Sequence, residues 1–283
     1  MLKAIAFDLW ETLITDTPET ARAQERLRLE RMERILRENG YGATAERIEE
    51  AYRALWRRCH ELYWSADRDV PCRTHIEHLL EELQLPIDEM PVEALEDAYA
   101  RAAVHVLPSL VDGSRQVVRE LKDRGFAIGL ISNTGRTPGY ALREILEAVG
   151  LAPHFDAMVF SNEHGACKPQ HSIFETLRAA LGVSFDEMVF VGDNLYVDVF
   201  GAQRCGMSAV HFIPAKRGTA VAHPVDHGLE IVADATITDL RELLPLITAW
   251  NAALASSSAS SSAFPSSAST TSPESGPERT QKR

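Results

Sequence analysis

Residues 4 to 7, AIAF, form an unbroken apolar run closed by Asp8, which predicts a buried β-strand with a carboxylate where the strand leaves its sheet. The period then changes. From about Thr17 to Val106, apolar residues recur every three or four positions, and TARAQERLRLERMERILRENG predicts a helix that stops at Asn39-Gly40. Further helices are predicted through AERIEEAYRALWRRCHELYW, HIEHLLEEL and PVEALEDAYARAAVHV. From Pro108 onward four short apolar runs appear, FAIGLISN, AMVFSN, EMVFVGD and AVHFI, separated by segments long enough for crossover helices. That alternation predicts an α/β protein with a parallel sheet covered by helices on both faces. The first strand must join this sheet across the helical insertion, because alone it could not bury both of its faces. From residue 249 the sequence turns Ser-rich with interspersed Pro, and 249–283 is predicted to be a disordered tail.

Composition narrows the function classes. The 283 residues, 45% of them hydrophobic, can bury a substantial core, and no stretch reaches the roughly 18 to 20 uninterrupted apolar residues of a membrane span. The N-terminus leads directly into a strand without a basic region or cleavage site, so a soluble cytoplasmic protein is expected. Cys59, Cys72, Cys167 and Cys205 are far apart with no CxxC pair and read as free thiols. A net charge of −12 argues against nucleic acid and acidic membranes as partners. An anionic substrate would need a local positive site, and lysines are scarce: Lys3, Lys122, Lys168, Lys216 and Lys282.

Four strand ends carry the candidate chemistry: Asp8, Ser132-Asn133, Lys168 in GACKPQHSIF, and Asp193 in VFVGDNLYVD. Ligands of open α/β sheets bind outside the carboxyl ends of the strands, so these residues are predicted to converge. Asp8 and Asp193 offer hard oxygen ligands suited to Mg²⁺, Lys168 a point charge, and Ser132 a donor for phosphate oxygens. A phosphoryl group is the guest these residue types suit.

The ordered run D-x-x-x-T, S-N, K-P, G-D-x-x-x-x-D resembles the four motifs of the haloacid dehalogenase (HAD) superfamily, and the helical insertion resembles its C1-type cap. The resemblance implies a Rossmann-like core over 1–15 plus 108–248, a helical cap over 16–107, and Mg²⁺-dependent hydrolysis of a small phosphomonoester through an aspartyl-phosphate. By the same resemblance Asp8 is the nucleophile, and Asp8, the Trp10 carbonyl and Asp193 hold the metal. Thr12 orients the nucleophile, Ser132 and Asn133 hold phosphate and substrate, Lys168 offsets charge, and Asp198 supports the metal or the lysine.

Trp10 departs from the family's phosphatases, which usually carry an Asp there as general acid. Its indole has no useful pKa, so alkyl phosphates should react slowly and esters with good leaving groups tolerably. Glu11 is expected to point away from the reaction. Related dehalogenases carry an aromatic at this position, which makes 2-haloacid hydrolysis the alternative, but they usually have a neutral residue where this chain has Asp193. A catalytically weak, HAD-like binding protein is a third reading. Phosphonate hydrolysis would need a cap lysine as Schiff base, and residues 16–107 contain none.

Other candidates carry blander expectations. Related dehalogenases use an Arg soon after the first motif to hold halide or carboxylate, but Arg22, Arg26 and Arg28, interleaved with Glu, are expected instead on a solvated helix face. His75 and His78 are expected on an exposed face, and Cys167 as a small residue packed against the sheet. Trp56, Tyr63 and Trp64, near Arg57, Arg58 and Arg68, are expected in a core. His164 and His171 flank Lys168, and either could supply the missing acid.

Overall fold

The fold is described from a computed structural model, which covers residues 1–215, 218 and 228–261, with backbone alone for 257–261. β1 (Ala4–Phe7) is buried at every residue and leads to a two-residue strand, β2 (Ile14–Thr15). Five helices follow: α1 (Pro18–Glu38), α2 (Ala45–Leu62), α3 (Cys72–Leu83), α4 (Val92–Ala100) and α5 (Ala102–His105). The chain then alternates: β3 (Ser109–Leu110), α6 (Ser114–Asp123), β4 (Ala127–Ser132), α7 (Gly139–Ala148), β5 (Ala157–Phe160), α8 (Ser161–His164), α9 (His171–Leu181) and β6 (Met188–Gly192). A π-helical turn over Leu195–Phe200 runs into α10 (Gly201–Cys205), and β7 (Ser208–Phe212), β8 (Ala235–Ile237) and α11 (Leu243–Ser261) complete the fold.

Six parallel strands form one sheet in the order β5-β4-β1-β6-β7-β8. β1 lies between β4 and β6, with Phe7 opposite Leu130 and Val191, so the ends of three strands open at one rim. The two faces of β1 differ in size. Ile5 and Phe7 enter a cluster with Leu142, Ile145 and Leu243, whereas Ala4 and Ala6 face Phe174 and Leu177 of α9. Close packing of α9 explains the small residues. A Cβ on Gly129, the register partner of Ala6, would stand 2.8 Å from Leu177 Cδ2.

The helical unit has its own core, in which Met32, Leu36, Tyr52, Leu55, Ile76, Leu79 and Leu95 are buried. Thr17 caps α1 through its hydroxyl, which accepts from Thr20 N at 3.2 Å, and Pro18 occupies the first turn. The helix ends as its sequence predicts, with Asn39 at the cap and Gly40 at φ +84°. β2 and β3 pair antiparallel, Ile14 with Leu110 and Thr15 with Ser109, at the two places where the chain enters and leaves this unit.

Two expectations need correction. The Ser-rich tail does not begin unstructured at 249, because α11 continues to Ser261; Trp250 packs on the core, and Asn251 Oδ1 accepts from Leu2 N at 2.7 Å. Residues 262–283 of that expectation lie outside the described residues. β8 was not predicted: ATI is too short to register as a period. Among the described residues, no helix is long and apolar enough to cross a membrane.

Gly129→Val should destabilise the protein by about 1–3 kcal/mol, since the added carbons overlap Leu177 and Leu181. Urea unfolding of the variant tests this, and an unchanged midpoint would show that α9 can retreat freely.

Candidate active site

Asp8 stands at the end of β1, its N–H donating to Val191 O at 2.9 Å. The chain turns sharply after it. Leu13 N and Ile14 N both donate to Leu9 O, and Glu11 takes a left-handed conformation at φ +60°. The turn returns buried Thr12 to the carboxylate, where its hydroxyl donates to Asp8 Oδ2 at 3.2 Å.

Lys168 is 1% exposed, and its ammonium meets three oxygen atoms. It donates to Asp8 Oδ1 at 2.6 Å and to Ile131 O at 3.0 Å, and pairs with Asp198 Oδ1 at 2.8 Å. The last contact is an ion pair that falls short of hydrogen-bond alignment. Asn133 fixes the lysine backbone from both sides: Lys168 N donates to its Oδ1 at 2.7 Å, and its Nδ2 donates to Lys168 O at 3.0 Å. The Asn133 amide, expected on substrate, places Lys168 with one N–H and one oxygen lone pair, and the residue also lines the cavity over the rim.

Asp198 Oδ2 accepts from Asn194 N at 3.0 Å, and a Cβ on Gly192 would fall 2.3 Å from that oxygen, so the glycine before Asp193 makes room for the acid. Ligand atoms of Asp8, half-buried Asp193 and Asp198 all lie within 4.8 Å of one another. Carboxylates here outnumber the ammonium, and a hard divalent cation fits such a donor set. Burial pushes the Asp8 carboxyl up to about 6 against the pull of Lys168. Lys168 is held above the ordinary lysine range: burial opposes its charge, and Asp198 and Asp8 outweigh that.

One cavity of about 550 Å³ lies over the rim, and Asp8, Trp10, Asn133, Lys168, Asp193 and Asp198 all line it. Thr12 sits beneath Asp8, and Ser132 is fully buried with a hydroxyl that has no partner among the described residues; neither lines the cavity. Trp10 is half-buried, packing on the core cluster while lining the cavity.

Residues 2–206 match the haloacid dehalogenase-like hydrolases. The chain belongs to that family. Glyceraldehyde 3-phosphate phosphatase of Pyrococcus abyssi is 32% identical over 212 residues, covering 75% of this chain and 82% of that one. Ribulose-1,5-bisphosphate 5-phosphatase of Halopiger xanaduensis is 30% identical over 253 residues, covering 88% of this chain and 100% of that one. The solved structure of a 2-haloacid dehalogenase from Pseudomonas syringae pv. Tomato DC3000 superposes with a TM-score of 0.62 at 24% identity, over 88% of this chain and 100% of that one, which shows the shared fold.

Several residues of this hydrolase differ from expectation. Arg28 is not on a solvated face; it is 3% exposed and lines the cavity, while Arg22 and Arg26 are exposed. His75 is 1% exposed between the rings of Trp64 and Tyr99, and burial lowers its pKa to about 4. Half-buried His78 accepts or donates at Tyr63 Oη, 2.8 Å away. Cys167 packs into the core of the helical unit instead of against the sheet, and burial pushes its thiol up. Trp56 and Trp64 do belong to that core, yet both also line the cavity. His164 and His171 do not line it; they contact Ser172 and Phe185. Glu11 lines the cavity, but its carboxylate accepts from Thr15 Oγ1 at 3.1 Å and Gly218 N at 2.6 Å.

Sequence reasoning missed Asp69. This loop residue of the helical unit is 5% exposed, and it accepts from Thr134 Oγ1 at 2.9 Å, from Ser161 Oγ and from Trp64 Nε1 at 3.0 Å. It ties the helical unit to the sheet rim, and burial pushes its carboxyl up against those hydrogen bonds. Asp69 in SADRD carries no signal of that role.

Lys168→Met should destabilise the protein by about 3–5 kcal/mol, because two buried carboxylates lose their cation. Those carboxyls then bind protons more readily folded than unfolded, so the variant's stability falls as pH rises. Urea unfolding at pH 5 and pH 7.5 should give the larger deficit at pH 7.5, and a deficit independent of pH would refute the charge account.

Proposed function

We propose that this hydrolase cleaves a small phosphomonoester in a Mg²⁺-dependent reaction through an aspartyl-phosphate on Asp8. The supporting observation is the meeting of Asp8, Lys168, Asp193 and Asp198 in one cavity of small-molecule size. Phosphatase names among the relatives agree with it.

An Asp8 carboxylate oxygen attacks phosphorus, forming one P–O bond as the bond to the ester oxygen breaks. Water then hydrolyses the acyl phosphate and releases inorganic phosphate. Lys168 keeps Asp8 ionised and offsets the charge that gathers during transfer, while Thr12 fixes the carboxylate's second oxygen. The Ser132 hydroxyl, without a partner among the described residues, lies behind the cavity lining and would need the rim to open slightly to meet a phosphate oxygen. Asp8, Asp193 and the Trp10 carbonyl would hold the divalent cation, which supplies charge neutralisation at the phosphate when bound. Asp198 acts through Lys168. The acid cluster disfavours haloacid hydrolysis, since it would repel a carboxylate substrate unless a cation intervened.

Hydrolysis of p-nitrophenyl phosphate with and without Mg²⁺ tests this reading. Turnover should need the metal, and Asp8→Asn should reduce it at least about 10³-fold; metal-independent turnover, or turnover that survives the substitution, would sink it. The leaving oxygen has no carboxylic acid at position 10 to protonate it. Trp10→Asp should therefore speed alkyl phosphates by about 10²-fold and aryl phosphates much less. Equal gains on both would show that protonation is not what Trp10 limits.

A further inference from the structure

The cavity has two walls of different charge. Asp8, Lys168, Asp193 and Asp198 belong to the sheet side, and Arg28 of α1, with Arg136 from the segment after β4, lines the part facing the helical unit. Several arginines elsewhere on the helical unit are paired with carboxylates: Arg53 with Glu49, Arg58 with Glu81 and Glu82, Arg73 with Glu77 and Glu93. Arg28 and Arg136 are not.

Arg28 is 3% exposed, and its hydrogen-bond partners are neutral, although its charge also reaches the Asp16 carboxylate. Nε donates to Tyr99 O at 2.6 Å, one Nη donates to Tyr52 Oη at 3.1 Å, and the guanidinium lies 5.3 Å from the Tyr99 ring centroid. Those two hydrogen bonds leave the remainder of its five N–H groups for a ligand. Arg136 lies 4.0 Å from the Trp56 ring centroid and 4.9 Å from that of Tyr52, which fixes the plane of its guanidinium without cancelling its charge. Among the described residues neither guanidinium forms an ion pair with a carboxylate. Burying a guanidinium without an anion is costly, and two on one cavity wall are a built receptor for one.

Acids also line the cavity, but their oxygens are partly engaged nearer the β1 turn. Glu11 accepts from Thr15 and Gly218, and Asp16 Oδ1 accepts from Thr20 Oγ1 at 3.0 Å and Gln24 Nε2 at 2.9 Å. Glu25 of α1 lines it as well.

We infer that Arg28 and Arg136 form a second anion subsite, so that the preferred substrate is a phosphomonoester carrying a further anionic group, a carboxylate or a second phosphate, at its far end. This rests on the phosphatase reading for which end is cleaved. Both groups suit a planar, multidentate guanidinium, and the test separates them.

The test is calorimetric binding to the full-length Asp8→Asn variant in Mg²⁺, with ligands that differ only at the distal carbon. Propyl phosphates ending in hydroxyl, carboxylate, phosphate or ammonium serve, together with their five-carbon homologues. One or both distal anions should bind about 10- to 100-fold more tightly than the hydroxyl, and the tighter of the two names the class. Arg136→Gln should cut that preference about tenfold, Arg136→Lys should retain part of it, and Arg28→Gln should abolish most of it. If Arg28→Gln fails to fold, half-buried Arg136 alone decides. Equal binding of all four, tightest binding of the ammonium, no binding, or a preference that survives Arg136→Gln would overturn the subsite. Hydrolysis of p-nitrophenyl phosphate by the wild-type chain, measured in parallel, reports separately on the phosphatase reading.

Discussion

The buried Lys168 ammonium holds the site together. Asp8 leaves the end of β1 and Asp198 sits in the π-helical turn after β6, and both of these buried carboxylates meet its charge. The lysine is in turn held by Asn133 through two backbone hydrogen bonds and by Ile131 O at its head. Three loops thus share one charge balance, and room for it exists because Gly192 has no side chain where Asp198 approaches. The arrangement rests on two hydrogen bonds and one ion pair acting together at the ammonium, not on the strength of any single contact.

The sheet supplies the platform on which that balance rests. Large side chains of β1 face the cluster that includes α7 and α11 residues, and its alanines face α9, which lies close enough to require Gly129 next door. β1 lies between β4 and β6, and its end there is the place from which Asp8 emerges. Above the rim, Asp69 and Arg136 join the helical unit to the sheet by opposite means. One is a buried carboxylate reaching down to Thr134 and Ser161; the other is a cation reaching up to Trp56 and Tyr52.

Much of this was legible in the chain. The period change after Thr17, its reversal near Pro108, and reactive residues at four strand ends were enough to anticipate a parallel sheet with Asp8, Lys168 and Asp193 at one rim, because strand ends converge by topology. What was not legible depends on burial. Arg28 looks like any arginine in a Glu-rich helix, and only the packing of α1 against α4 turns it inward. His75 has the helical spacing of a surface residue yet is enclosed by Trp64 and Tyr99. Asn133 also positions the lysine backbone 35 residues on, a role that its place beside a serine does not signal. Asp69 and the continuation of α11 past Trp250 likewise follow from contacts across the chain, which no local pattern encodes.

The short ribbon of β2 and β3 has a wider consequence. It pins Ile14 to Leu110 and Thr15 to Ser109, so the two points between which the helices are inserted are neighbours whatever the insertion contains. Lengthening a segment whose ends are already joined costs little closure entropy. The register of the six-stranded sheet is therefore insulated from changes between these points, and evolution can exchange the roof of the cavity, and with it the choice of guest, while the chemistry underneath stays as it is.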